Sequence, residues 1–258
     1  MVSLIEALLL GVVQGLTEWL PISSSGHLVI IQELMQIEVP LFFDIILHLG
    51  TFTVILIYFR QDIFHILKAI FKLDFKSNYG RLGLLLILGN IPIVLTGLFF
   101  YNTIASFFKN QMIVGFALLA TGSLLYISKY GNPNKKMNVS ESLIVGLAQA
   151  IAIIPGISRS GFTISVGLLR GISQQEIFRF SFLLAAPAIL GATLFEYANL
   201  SFIETETSAI IVGFSVSLVV GYFSLKLLSR LVETGRFHLF AYYCWIIGFI
   251  ILLVTITQ

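Results

Sequence analysis

The chain has 258 residues, of which 57% are hydrophobic and only 11% charged, with a formal net charge of +2 and a mean hydropathy of +0.98. A soluble domain carries about 25% charged residues, so this composition excludes a water-soluble enzyme and, with its basic residues scattered among apolar runs, a nucleic-acid binder. It describes an all-α polytopic membrane protein: a single membrane domain over 1–258, too short of polar sequence for a separate soluble domain.

The N-terminal stretch MVSLIEALLLGVVQGLTEW has no basic leader and carries Glu6 and Glu18, so it is expected to belong to the mature fold rather than to a cleaved signal. It continues as LPISSSGHL, in which Pro21, Ser23, Ser24, Ser25 and His27 interrupt the apolar pattern. A helix of about 14 residues, a break and another short helix cannot each cross a ~30 Å hydrocarbon core. A re-entrant hairpin, or alternatively one kinked crossing, satisfies the length. Three runs long enough to span follow, near 41–60, 82–100 and 112–128. Between the first two, RQDIFHILKAIFKLDFKSNYGR alternates apolar and basic residues at helical spacing, which predicts an amphipathic surface helix touching anionic lipid.

The same plan then repeats. EALLLGVVQGLTEWLPISSSGHL from Glu6 lies without a gap over ESLIVGLAQAIAIIPGISRSGFT from Glu141, matching Gly11 with Gly146, Gln14 with Gln149, Ser23 with Ser158, Ser25 with Ser160 and Gly26 with Gly161. Only the proline is displaced, Pro21 against Pro155. Repeat 1 covers about 1–138 and repeat 2 about 139–258, with further spans near 177–197, 208–228 and 238–257. Three crossings per copy, an odd number, predict two inverted-topology repeats, each a re-entrant hairpin followed by three transmembrane helices. Basic residues cluster after the first (Arg60, Lys68, Lys72, Lys76, Arg81), third (Lys129, Lys135, Lys136) and fifth crossings (Lys226, Arg230, Arg236). By the positive-inside rule those loops are expected to be cytoplasmic. The loops with Lys109 alone, or with Glu204 and Glu206, are expected to be external. The first hairpin mouth would then face out and the second, near Arg170 and Arg179, inward.

In inverted-repeat membrane proteins, discontinuous helices meet near midplane and build the site. The first break offers Glu18, Ser23, Ser24, Ser25 and His27; the second offers Ser158, Arg159, Ser160 and Thr163, with Arg159 standing where the first copy has Ser24. Helix N-termini, hydroxyls and a guanidinium make an anion site suited to phosphate. A mid-membrane arginine demands a partner, and Glu18 is the expected one. His27 could move protons, and His27 or Ser24 could attack phosphorus; both assignments stay open. Gln14 and Glu18, four apart, could present oxygens to a metal or orient His27, although one carboxylate does not secure a divalent ion. Asp44 and His48 form a second intramembrane pair of lower weight, and Gln149 is expected to brace the opposite hairpin. Cys244, the single cysteine, reads as a small buried hydrophobe.

QGLTEWLPISSSGH and PGISRSGFT, together with FSFLLAAPAILGA, resemble the signatures of the undecaprenyl-diphosphate phosphatase family associated with bacitracin resistance, over essentially the whole chain. The resemblance implies Glu18, Ser24, His27 and Arg159 as the catalytic positions, and Ser158 and Thr163 lining the phosphate pocket. It also implies an outward-facing site in the cell membrane and a divalent cation, Mg or Ca. The family motif carries Glu or Gln, three residues, then Glu, here Gln14 and Glu18; Gln14 is the allowed but neutral variant, so a metal-ligand role there is in question. The expected partners are a polyprenyl diphosphate and membrane lipids, with no nucleic acid, and a homodimer is allowed. A lipid-phosphate flippase that binds the same anion without cleaving it is the alternative.

Overall fold

The computed structural model describes residues 2–108, 110–132, 134–198 and 206–257; Lys109 and Glu204, of the predicted external loops, lie outside them. Eleven α-helices carry these residues and no strand occurs among them, apart from one isolated bridge between Lys135 and Ile172. Among the described residues six helical stretches are long and apolar enough to cross a membrane.

The first copy begins with α1 (Leu4–Trp19), opened by a capping box in which Ser3 and Glu6 satisfy each other's backbone. After the break comes α2 (Ser24–Leu34). The spans α3 (Leu41–Tyr58), α5 (Asn78–Phe107) and α6 (Gln111–Ile127) follow. The amphipathic segment forms α4 (Arg60–Phe71), shorter than its pattern, because the chain turns at Leu73 with φ +54° and Ser77 caps a new helix at Asn78. That span is longer than its apolar run predicts, since nothing breaks the helix after Pro92. The second copy repeats the order with α7 (Val139–Ile151), α8 (Arg159–Leu169), α9 (Gln174–Ala198), α10 (Thr207–Glu233) and α11 (Phe240–Thr257).

The copies exchange partners. The opening helix α1 packs on α10 of the second copy, and α7 packs on α5 of the first, while α6 and α11 pack on each other. Two glycines set the first two crossings. A Cβ on Gly15 would lie 2.9 Å from the Gly221 backbone nitrogen, and one on Gly146 would lie 2.1 Å from the Gly89 carbonyl oxygen. Without a hydrophobic force between helices in lipid, such close approach is how membrane helices associate.

Two of the segments predicted to be cytoplasmic, 60–81 and 129–136, meet the chain at the start of α9. There Arg179 on α9 meets Asp62 on α4 at 2.6 Å. Glu176 accepts from the Met137 N–H at 2.9 Å, and Lys135 pairs with Ile172. Further along α9 sits the aromatic core: Trp19 packs edge-on to Phe182 (5.5 Å) and Phe59 stacks on Phe182 (6.3 Å). Trp19, 1% exposed, thereby fixes the end of α1 and the carboxylate of the residue before it.

Candidate active site

Both breaks are capped alike. The Ser23 hydroxyl accepts from the Gly26 N–H at 3.4 Å, and the Ser158 hydroxyl accepts from the Gly161 N–H at 3.1 Å. The displaced proline explains how they differ. In the second copy Gly156 takes φ +92° and leaves Ser158 at −83°. In the first copy the aligned residue is Pro21, whose ring locks φ near −65°, so the left-handed turn falls on Ser23, at φ +69°. A non-glycine residue held there costs of order 1–3 kcal/mol, and that strain sits beside Ser24.

The two breaks touch. Ser160 donates to the Trp19 carbonyl across the copies at 3.0 Å, and a Cβ on Gly161 would lie 3.4 Å from Pro21 Cβ. The starts of α2 and α8 therefore converge, bringing together first-turn N–H groups that have no helical acceptor and the positive ends of two helix dipoles.

Glu18, with 4% of its side chain exposed, is the hub. Its Oε2 accepts from Ser24 Oγ at 2.7 Å and from Gln14 Nε2 at 3.1 Å. Its Oε1 lies 3.7 Å from an Arg159 guanidinium nitrogen, and its Oε2 lies 3.7 Å from His48 Nε2. At 3.7 Å these are charge contacts rather than hydrogen bonds. Arg159 and His48 each keep 31% of their side chain exposed, so both retain hydrogen-bonding capacity for a ligand. Arg159 finds the partner expected for it.

His48 carries less weight than His27 in the sequence, yet it is the histidine at the carboxylate. Its Nδ1 donates to the Asp44 carbonyl at 2.8 Å, so its neutral form turns an unprotonated Nε2 toward Glu18. The Asp44 carboxylate accepts from Gln32 at 3.1 Å. Thr51, one turn further along α3, accepts from Gln14 at 3.4 Å and escaped the sequence reading. The spacing of His48 and Thr51, three apart on one helix face, was the available signal.

His27 faces elsewhere. Its Nδ1 donates to the Ser23 carbonyl at 2.7 Å, its Nε2 meets the Tyr243 hydroxyl at 2.7 Å, and the two rings stack at 5.7 Å. None of the recorded partners of Glu18 is His27. Of the remaining predicted positions, Ser25 contacts Ser23 at 3.4 Å and Ser160 contacts Ser158 at 3.3 Å. The Ser158 N–H donates to Thr121 at 3.3 Å. Thr163 is fully buried behind the arginine, donating to the Arg159 carbonyl at 2.8 Å and hydrogen-bonded to the Ser181 hydroxyl. Gln149 does not brace the opposite hairpin; it donates to Asn90 on α5 at 3.2 Å, because α7 packs on that helix. Cys244 is buried, its thiol directed at the Pro21 carbonyl (3.4 Å).

Among the described residues no three His, Cys, Asp or Glu side chains form a metal-sized cluster. One observation nevertheless fits a hard cation. Gln14 Oε1 is buried with no hydrogen-bond partner, one helical turn from the Glu18 carboxylate. One carboxylate and one neutral oxygen, completed by ligand phosphates, is the kind of set Mg²⁺ accepts.

Chemically, the site offers a hydroxyl already bonded to a carboxylate, a guanidinium facing the same carboxylate, and two helix starts. Such an arrangement is able to supply a nucleophile and a base beside an anion cradle.

Residues 7–250 match the family model of the bacitracin resistance protein BacA. Relatives named undecaprenyl-diphosphatase are similar over nearly their full length. That of Halothermothrix orenii is 42% identical over 259 residues, covering 97% of this chain and 98% of its own. That of Korarchaeum cryptofilum is 40% identical over 255 residues (96% and 97%), and that of Methanobrevibacter smithii is 39% identical over 274 residues (99% of both). The match over residues 7–250 and the near full-length likeness to these relatives show that this chain belongs to the BacA family.

Proposed function

We propose that the protein is an integral membrane phosphatase that hydrolyses undecaprenyl diphosphate to the monophosphate and inorganic phosphate, returning the lipid carrier to cell-wall polysaccharide synthesis. The observation that carries this reading is the 2.7 Å bond from Ser24 Oγ to Glu18 Oε2 beside Arg159. A carrier of the same anion needs the arginine but has no use for a hydroxyl bonded to a base, so hydrolysis is favoured over lipid-phosphate transport.

In the proposed reaction Arg159 and the first N–H groups of α2 and α8 hold the terminal phosphate and stabilise the charge of the transition state. Ser24 Oγ attacks the terminal phosphorus while Glu18 takes its proton. The bond from that phosphorus to the bridging oxygen breaks, and polyprenyl monophosphate leaves. Water then attacks the phosphoserine, releasing inorganic phosphate and restoring the Ser24 hydroxyl. His48 Nε2, beside Glu18, is placed to share the proton. Glu18 and the Gln14 amide oxygen would hold a divalent cation, Mg or Ca, which when bound would offset the negative charge of the diphosphate.

The diphosphate would enter from the outer face of the cell membrane, a placement supported by the distribution of Lys and Arg among the loops. The test is phosphate release by purified protein from a prenyl diphosphate, with Mg or Ca added. Wild type should turn over and Arg159→Ala should lose about 10³-fold in rate, the scale of removing one preorganised charge contact. No release by the wild type under either ion refutes the reading. Acid quench during turnover should trap phosphate on Ser24; a trapped phosphohistidine would move the nucleophile to His27.

A further inference from the structure

His27 and Tyr243 come from opposite ends of the chain, 216 residues apart, and meet at 2.7 Å. Their arrangement is defined on both sides of the ring. The Ser23 carbonyl receives both the His27 backbone N–H (3.3 Å) and its Nδ1–H (2.7 Å), which puts the proton of the neutral ring on Nδ1. The lone pair of Nε2 then accepts from the Tyr243 O–H. The rings lie nearly parallel, 16° apart, so the phenol also limits rotation of the imidazole.

The surroundings of the pair are mostly apolar. The pair borders a cavity of about 520 Å³ whose walls include Leu16, Leu20, Ile31 and Phe240. Its other polar groups are Thr17, whose hydroxyl is spent on the Val13 carbonyl, and Arg236. On α11 the neighbouring titratable groups are Tyr242, packed on Tyr126 and Trp245, and Cys244, turned to the Pro21 carbonyl. On α1 the carboxylate of Glu18 is engaged by Ser24, Gln14, His48 and Arg159. An imidazole Nε2 beside apolar walls, without a partner, would swing away or lose its polar contact altogether.

We propose that Tyr243 is the positioning residue of His27: while the Ser23 carbonyl sets the Nδ1–H tautomer, the Tyr243 hydroxyl holds the imidazole in one orientation, at the start of α2, for the phosphatase reaction. A phenol hydroxyl can donate to neutral Nε2 or accept from protonated Nε2–H, so the contact survives a change in the charge of His27. The inference rests on the phosphatase reading for its kinetic arm and on geometry alone for its chemical arm.

The test uses Tyr243→Phe, which keeps the ring and removes the hydroxyl. In phosphate-release assays kcat should fall roughly tenfold, the rate equivalent of one lost hydrogen bond, with KM changed less than about twofold. In a His27→Ala background Tyr243→Phe should cost nothing further. Independently of activity, peptide-resolved labelling with diethyl pyrocarbonate should modify His27 at least about threefold faster in Tyr243→Phe, its Nε2 lone pair no longer occupied. The exposed His65 serves as the internal reference. Wild-type kcat in Tyr243→Phe, an equal loss in the His27→Ala background, or an unchanged His27 labelling rate overturns the proposal. A wild type without phosphatase activity would defeat the functional reading and leave the labelling result to decide the geometry.

Discussion

Ser24 begins α2 and Glu18 lies one residue before the end of α1, and the 2.7 Å bond between them spans the first break, joining the proposed nucleophile to its proposed base. Ser24→Ala and Glu18→Gln should each lower kcat by about 10³-fold, because each removes one member of a unit that acts together. The double variant should be barely worse than either single one. Phosphate release under single-turnover conditions measures this, and additive losses would argue against a coupled pair.

His48 should matter more than its position in an ordinary span suggests. Its Nε2 is 3.7 Å from the same carboxylate oxygen that receives Ser24. His48→Ala should reduce kcat/KM by roughly tenfold. His48→Gln, which keeps a polar end at similar reach, should retain more activity. Equal activity of His48→Ala and wild type would show that the contact is idle.

The two N-caps should answer differently to the same substitutions. Glycine is better tolerated than alanine at an N-cap generally, but Ser23 also sits at φ +69° whereas Ser158 sits at −83°. The advantage of glycine over alanine should therefore be larger at 23 than at 158, by about 1 kcal/mol. Thermal unfolding of the four variants in detergent gives the difference directly, and equal advantages at the two positions would contradict the strain.

Glu141, in the first turn of α7, receives Arg170 Nε at 2.8 Å and a terminal guanidinium nitrogen at 2.9 Å. These bonds and the charge of Arg170 hold its carboxyl below the usual glutamate value. A depressed folded pKa means that the stabilisation is complete above the unfolded value of about 4.3 and disappears as the pH falls through the folded one. Wild type should thus be more thermally stable than Glu141→Gln at pH 6 to 7, and the gap should close on acidification below about pH 4. A gap that stays constant over that range would rule out the linkage.

Much of this protein was legible in its sequence because lipid constrains backbone more tightly than water does. Spans must be apolar and about 20 residues long, so the six crossings could be read directly. A break at membrane depth must be covered by protein, so a repeated Ser/Gly break implied a shared site, and the gapless match of Glu6 with Glu141 located its two halves. The pairing of Glu18 with Arg159 followed from the cost of an unpaired charge in hydrocarbon.

Three matters were left to the tertiary structure. The nine-residue spacing of Glu18 and His27 allows the carboxylate to orient the imidazole, but helical geometry and α11 turn His27 to Tyr243. His48 reaches Glu18 because α3 packs on α1, a proximity between distant segments that no local pattern encodes. Gln149, identical to Gln14 in its copy, bonds to Asn90 because α7 lies on α5. Local sequence fixed which residues stand at each break, since caps and prolines act within one turn of helix. Which of them face one another depended on how glycine-lined helices from two copies cross, and that is settled only when both copies are packed together.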